Sequence, residues 1–144
     1  MQITSYTDYA LRVLLYLAMT PNRQVNITEI SDFFNISRNH LVKVVHQLGS
    51  KGFVKTTRGK GGGLSLQRPP EMIRIGEVVR SMENHFNWVE CFDPAQQRCR
   101  LLPGCGLKHL LARAGSAYLQ ILDTATLADV LLDSTLVDLP QNKP

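Results

Sequence analysis

The sequence predicts a mostly α-helical chain with one small β-hairpin and one long, late helix. Three observations predict it. Apolar residues recur at helical spacing in successive stretches between Ser5 and Asp123. The glycine-rich run TRGKGGG separates two short β-prone segments, Phe53–Thr57 and Gly63–Leu66. An apolar stripe from Leu107 to Leu122 extends over more than four turns.

In chain order, Tyr6, Tyr9, Ala10, Val13, Leu14 and Leu17 mark one face of a first helix from about Ser5 to Met19, which Pro21 and Asn22 end. Asp8 and Arg12 fall on its polar side, four residues apart, the spacing of an intrahelical ion pair. In NITEISDFFNIS, Asn26 followed by Glu29 has the form of a helix cap, and Ile27, Ile30 and Phe34 supply a short buried stripe. Asn35–Ile36 is the turn, and Ser37 caps the next helix. There Leu41, Val44, Val45 and Leu48 take the i, i+3, i+4, i+7 positions, leaving Arg38, Asn39, His40, Lys43 and Gln47 on the outer surface. Two short helices joined by a brief turn, the second polar at its first turn, describe a helix-turn-helix.

Gly52 stops that helix. The hairpin beyond it, with Arg58 and Lys60 near its tip, is a wing, and its glycines permit positive φ and close backbone approach to a partner. A nucleotide-phosphate loop is the rival reading, which the lack of a GxxxxGK[ST] pattern and of a directly following helix weighs against. Pro69–Pro70 closes the wing, and Ile75, Val78, Val79 and Met82 mark a short helix. The long helix runs from Leu107 to about Asp123, with Leu107, Leu110, Leu111, Ala114, Tyr118, Ile121 and Leu122 on its stripe. A helix this apolar, beyond a unit already closed by the wing, buries its face against a twin and predicts a homodimer. Thr126–Leu132 adds a further turn or two of helix, and the tail from Asp133 is loose. The chain thus divides into a winged helix-turn-helix DNA-binding domain (1–83), a cysteine-bearing loop (84–106), a dimerisation helix with a short helix after it (107–132) and a tail (133–144).

At 144 residues, with hydrophobic content of 44% and charged content of 19%, the chain reads as an ordinary soluble protein with one respectable core. Its net charge of +4 is unevenly placed. Residues 1–70 carry nine Lys and Arg against three Asp and Glu, and residues 71–144 carry seven against nine. A basic amino-terminal half is the footprint of a polyanion partner, nucleic acid before membrane. The apolar run Ala10–Met19 is interrupted by Arg12, is preceded by Asp8 where a leader would be basic, and is too short to span a bilayer. The expected location is cytoplasmic, with thiols kept reduced.

All three cysteines lie in Cys91–Cys105, CFDPAQQRCRLLPGC, a polar stretch carrying Pro94, Pro103 and Gly104 between two helical patterns. Three thiols on one accessible loop suit a metal or cluster better than a core, and their odd number argues against a disulfide framework. The thiols alone leave three readings open: an iron–sulfur cluster, a structural zinc held by Cys91, Cys99, Cys105 and His109, or bare thiol redox switching. A thiol redox enzyme would need CxxC or a fixed Cys–His pair; CxxC is absent, and such an enzyme gives no reason for the wing.

Four segments carry a family resemblance: TSYTDYALR, SRNHLVKVVHQL, RGKGGGLSL and RIGEVVR, followed by the three spaced cysteines before a long helix. In this order they are similar to the NsrR/IscR family of iron–sulfur winged-helix regulators. The resemblance covers nearly the whole chain, from MQITSYTDYALRVLLYLA to TLADVL. It implies a homodimer on palindromic operator DNA, with a cluster, 4Fe-4S or else 2Fe-2S, that reports nitric oxide. It also implies cluster ligation by Cys91, Cys99 and Cys105. In the IscR branch a histidine three residues after the last cysteine is the fourth ligand. Here that residue is Lys108, whose ammonium cannot ligate, and His109 comes one position later. The NsrR branch is closer, because it carries an aspartate where this chain has Asp8, and there the carboxylate reaches the cluster of the partner subunit.

The DNA face follows from position and chemistry. Ser37, Arg38, Asn39 and His40 open the recognition helix; Arg and Asn are suited to guanine and adenine edges respectively. Lys43 can reach a base or a phosphate, and Arg58 and Lys60 on the wing can contact phosphate or enter the minor groove. His46 and His85 have no evident partner role and are expected to be structural.

Overall fold

The computed structural model describes residues 3–102 and 104–131; Leu132 and the tail expected to be loose lie outside them. Its elements are α1 (Ser5–Met19), α2 (Ile27–Phe34), α3 (Arg38–Ser50), β1 (Val54–Thr57), β2 (Gly63–Leu66), α4 (Ile75–Met82) and α5 (Gly106–Thr124). Short 3-10 turns stand at Pro70–Met72, Glu90–Phe92 and Ala128–Val130.

α1 starts because the Thr4 hydroxyl accepts from the Thr7 amide at 3.3 Å, and Thr4 is in turn held by Glu83, which accepts from its amide at 2.8 Å and its hydroxyl at 3.1 Å. The helix buries Ala10, Val13, Leu14 and Leu17 as the spacing predicts, and also Thr7, Tyr16 and Ala18. Tyr16 is fully enclosed, edge-on to Phe33 and Phe34 of α2 with ring centroids 5.0 and 6.0 Å away. Asn26 caps α2 by accepting from the Thr28 amide at 2.9 Å. Asn35 then takes a left-handed conformation (φ 51°), which turns the chain sharply into α3. Ser37 stands at the N-cap of α3 but its side chain makes no capping bond, a departure from the expected role.

Leu41, Val44, Val45 and Leu48 of α3 are buried as expected. Each fully enclosed leucine of this kind contributes about 1.5–3 kcal/mol over its exposed state. Gly52 exits the helix at φ 76°, letting the Phe53 amide return to the Leu48 carbonyl at 3.0 Å. β1 and β2 pair antiparallel in the register Val54↔Leu66, Lys55↔Ser65, Thr56↔Leu64 and Thr57↔Gly63. Val25 bridges Leu64 with bonds of 2.8 and 2.9 Å, which ties the wing to the segment before α2. At the hairpin tip Gly59 and Gly61 have φ of 97° and 82°, and a side chain at Gly62 would run into the Thr57 carbonyl. The glycine run is therefore required by the turn itself.

α4 packs between α1 and α5. Beyond α5 the chain returns to the body: Arg74 bridges Thr126, the Leu127 amide bonds the Ile73 carbonyl at 2.7 Å, and Leu127 is fully buried. The further helix expected over 126–132 is only a 3-10 turn at Ala128–Val130, because Asp129 folds back to accept from the Thr126 amide and hydroxyl at 2.8 and 2.7 Å.

The apolar residues of α5, with Ala117 and Leu119 added to the predicted stripe, divide in two. Leu119 and Leu122 pack on the chain's own core, and Tyr118 meets Trp88 edge-on at 6.0 Å. Leu107, Leu110, Ala114, Ala117 and Ile121 stay exposed, with Leu107, Leu110 and Ile121 at 63, 59 and 68%. Their spacing alternates three and four, the period of a coiled-coil seam. Among the described residues no helix is long and apolar enough to cross a membrane.

Candidate nucleic-acid interface and cysteine loop

The first turn of α3 presents Ser37, Arg38, Asn39 and His40 to solvent, and Lys43 follows one turn on, also exposed. Val44 and Val45 are buried beneath them, so the polar and apolar sides of α3 divide as the sequence requires. Arg58 and Lys60 are exposed at the wing tip, on either side of Gly59. Among the described residues Arg38, Lys43, Arg58 and Lys60 enter no ion pair, so their charge is uncommitted within the fold. The basic residues that do pair are elsewhere: Arg12 with Asp8 and Arg68 with Glu77, each at 2.9 Å, Arg23 with Glu29, and Arg80 with Asp123.

Two contacts behind this surface were invisible to spacing arguments. The Tyr6 hydroxyl donates to the Lys43 carbonyl at 2.8 Å, and burial pushes the Tyr6 phenol above its ordinary pKa. The Tyr9 ring stacks on His40, with centroids 6.4 Å apart and planes 26° from parallel. Both tyrosines were expected simply on the apolar face of α1. Gln47 is half-buried rather than outward, donating to the Ser81 carbonyl at 3.0 Å, while His46 and His85 are exposed.

Deeper in the helix-turn-helix, Glu29 accepts from the Tyr16 hydroxyl and from both terminal nitrogens of Arg23. The Arg23 bond holds the Glu29 carboxyl below its usual pKa, and burial with the neighbouring carboxylate pushes the Tyr16 phenol up to about 12. This triad joins α1, the linker and α2.

The cysteine segment begins in the Glu90–Phe92 turn and ends at Cys105, the N-cap position of α5. All three thiols are free, Cys91 and Cys105 half-buried and Cys99 exposed. Glu90 accepts from the Arg98 amide at 3.0 Å, so the residues next to Cys91 and Cys99 are tied across the loop. Asp93 accepts from the Ala95 amide at 2.9 Å. His109 is exposed and Lys108 half-buried in the first turn of α5. Asp8 is on α1, in an ion pair with Arg12 at 2.9 Å. Among the described residues no three Cys, His, Asp or Glu side chains of the single chain gather to hold a metal ion. Three free, accessible thiols on one loop nevertheless form a donor set whose chemistry suits a soft metal or an iron–sulfur cluster.

A winged helix-turn-helix with uncommitted basic side chains on its recognition turn and wing defines a DNA-binding transcriptional regulator. More narrowly, the chain belongs to the Rrf2 family of iron-dependent transcriptional regulators, whose signature it matches over residues 3–133. It is 52% identical over 134 residues to the HTH-type transcriptional regulator NsrR of Bacillus licheniformis, covering 92% of this chain and 94% of that one. It is likewise 52% identical over 132 residues to NsrR of Bacillus subtilis, covering 91% of this chain and 90% of the relative. Its fold is similar to that of CymR, the global cysteine regulator of B. subtilis, with a TM-score of 0.75 at 24% identity over 96% of this chain and 99% of that one. The relatives are regulators, and the chain is not an enzyme.

Proposed function

We propose that this protein is a homodimeric repressor of palindromic operators whose DNA affinity reports nitric oxide through an iron–sulfur cluster, 4Fe-4S by preference. The observation that carries the reading is that all three cysteines, unpaired, fall on one loop segment of a chain with a basic winged helix. Cys91, Cys99 and Cys105 would hold the cluster as thiolates, with Asp8 of the partner subunit as the fourth ligand. The bound cluster supplies iron at which a diatomic ligand can bind, most readily at the corner held by oxygen rather than sulfur.

The remaining roles belong to the chain's own side chains. Asp8 stands in an ion pair with Arg12 within the single chain, a pairing that ligation across the dimer would exchange for the cluster. As a ligand across the dimer it would tie the cysteine loop of one subunit to the winged body of the other and fix the spacing of the two α3 helices. A palindrome tolerates little change in that spacing. Arg38, Asn39 and His40 read base edges, while Lys43, Arg58 and Lys60 hold phosphates or the minor groove. The reduced thiols this requires suit a cytoplasmic location.

A second reading has one observation in its favour. His109 lies one helical turn after Cys105, its amide bonded to the Cys105 carbonyl, and with the three thiols it would complete a structural zinc set. Anaerobic purification separates the two. Visible sulfur-to-iron absorbance with matching iron and sulfide supports the cluster. Colourless protein with stoichiometric zinc sinks it. In the first case nitric oxide should release a duplex that the protein selected from a randomised palindromic pool, and retention of that duplex would overturn the sensing role.

A further inference from the structure

Asp8 is bracketed on α1 by the two tyrosines that touch the recognition helix. Tyr6 meets the Lys43 carbonyl and Tyr9 meets the His40 ring, so one turn of α1 lies against one turn of α3 in antiparallel register. The residues touched belong to the DNA-facing set, and His40 and Lys43 both direct their side chains to solvent. Little else fixes them. Ser37 makes no side-chain cap at the start of α3, and among the described residues the His40 ring makes no side-chain hydrogen bond or ion pair. Unlike the fully enclosed Tyr16, each packs half-buried at the edge of the core, with its polar or ring contact directed at α3.

We infer that Tyr6 and Tyr9 are positioning residues for DNA reading, Tyr6 setting the rotation of α3 through the Lys43 carbonyl and Tyr9 setting the orientation of His40. This rests on the proposed reading of α3 as the recognition helix and of Asp8 as a cluster ligand, and it deepens both. A pull on Asp8 moves the helix that carries both tyrosines. Their contacts deliver that movement to two DNA-facing positions at the edge of the core that α1 and α3 share. A stacked aromatic pair is worth enough to bias a side-chain rotamer, and a hydroxyl bonded to a helix carbonyl restrains the helix about its axis.

The test uses the full-length, cluster-loaded protein and a duplex selected on it from a randomised palindromic pool, with each base of one half-site then replaced in turn. Tyr9→Ala should weaken binding about fivefold, the scale of one aromatic contact, while Tyr9→Phe stays within about twofold. Tyr9→Leu keeps apolar bulk without a ring face and should behave as the alanine variant does, which guards against a folding defect. Base preference should flatten at the same position in Tyr9→Ala and in His40→Ala. Combining the two should cost no more than His40→Ala alone, because residues acting through one another are not additive. Tyr6→Phe, which loses only the hydroxyl, should weaken the selected duplex about fivefold with an unchanged salt slope. Independent, multiplying effects of Tyr9→Ala and His40→Ala would overturn the proposal, as would equal weakening on selected and scrambled duplexes. If His40→Ala itself leaves binding unchanged, the DNA-face assignment fails and the proposal fails with it.

Discussion

Truncating Ile121 to alanine probes the exposed seam of α5. Ile121 is 68% exposed in the single chain, so a dimer closing over α5 would enclose roughly two-thirds of a side chain worth about 1.5–3 kcal/mol when fully buried. The loss is therefore about 1–2 kcal/mol per chain. A twofold axis counts it twice, giving about 2–4 kcal/mol, or on the order of 30- to 1000-fold in the dimer dissociation constant. The comparator is Leu119→Ala, two residues away but packed on the chain's own core. It should lower the melting temperature and leave the dissociation constant within a few fold. Sedimentation equilibrium over a dilution series measures the constant, and calorimetry measures the melting. If Ile121→Ala dissociates at the wild-type concentration, α5 does not close against a second copy. An increase for Leu119→Ala with none for Ile121→Ala would mean that the two faces of the helix have been assigned the wrong way round.

Other expectations follow from the same geometry. Arg38→Ala should cost about 1–3 kcal/mol on the selected duplex and relax preference at one base position, whereas Lys60→Ala should weaken all duplexes alike and reduce the salt slope by about one unit; operator affinities unchanged in both would show that the DNA face lies elsewhere. Asp8→Ala should keep a cluster with an altered spectrum and altered response to nitric oxide, and His109→Ala should match wild type; the opposite pattern transfers the fourth ligand to His109. Glu29→Gln should destabilise the fold by about 1 kcal/mol at neutral pH, discounted for partial exposure. Because the Arg23 bond lowers the folded pKa of Glu29, its contribution is complete above the ordinary value of 4.5 and is lost as pH falls through the folded value. The variant should therefore show a flatter acid limb in its pH–stability profile, and an unchanged limb would remove Glu29 from the account. On the alkaline side Tyr16, raised to about 12, keeps its contribution below pH 10 and loses it as pH rises through the folded value, so Tyr16→Phe should flatten that limb.

The elements governed by local chemistry were legible in the sequence. The apolar spacing of α1 and α3, the Asn26 cap, the turn at Asn35 and the glycine-rich wing all depend on residues within a few positions of one another. What spacing did not reveal depends on residues far apart. Tyr16 joins the core because the two phenylalanines of α2 close over it, and Glu29 turns to Arg23 and Tyr16. The α5 stripe looked continuous because Leu110 and Leu122 are equally apolar; only the placement of α4 and Trp88 separates the covered side from the free one. On the proposed DNA face, the exposure of the polar set on α3 was readable as the complement of a buried stripe. The tyrosines behind it were not, because an aromatic residue at a core position gives no sign of where its hydroxyl or ring face will point.

The way α5 is attached bears on how such a protein can change over evolutionary time. Its carboxy-terminal end is riveted to the winged body: Asp123 pairs with Arg80 at 2.7 Å, its carbonyl accepts from Arg74 at 3.0 Å, and the Ile75 amide bonds the Ala125 carbonyl at 3.0 Å. The opposite end, 19 residues and about 28 Å away, carries Cys105 and the exposed Leu107 and Leu110. Cys105, the last of the three cysteines, thus sits at the far tip of a mast whose foot is built from other residues. Insertions, deletions or substitutions at the tip need not disturb the foot, so one body can carry tips of different chemistry. Exchanging residues 93–100 for a glycine–serine stretch of equal length should abolish metal binding and leave the melting of the winged body unchanged; a fall in that melting temperature would show that tip and foot are not separable.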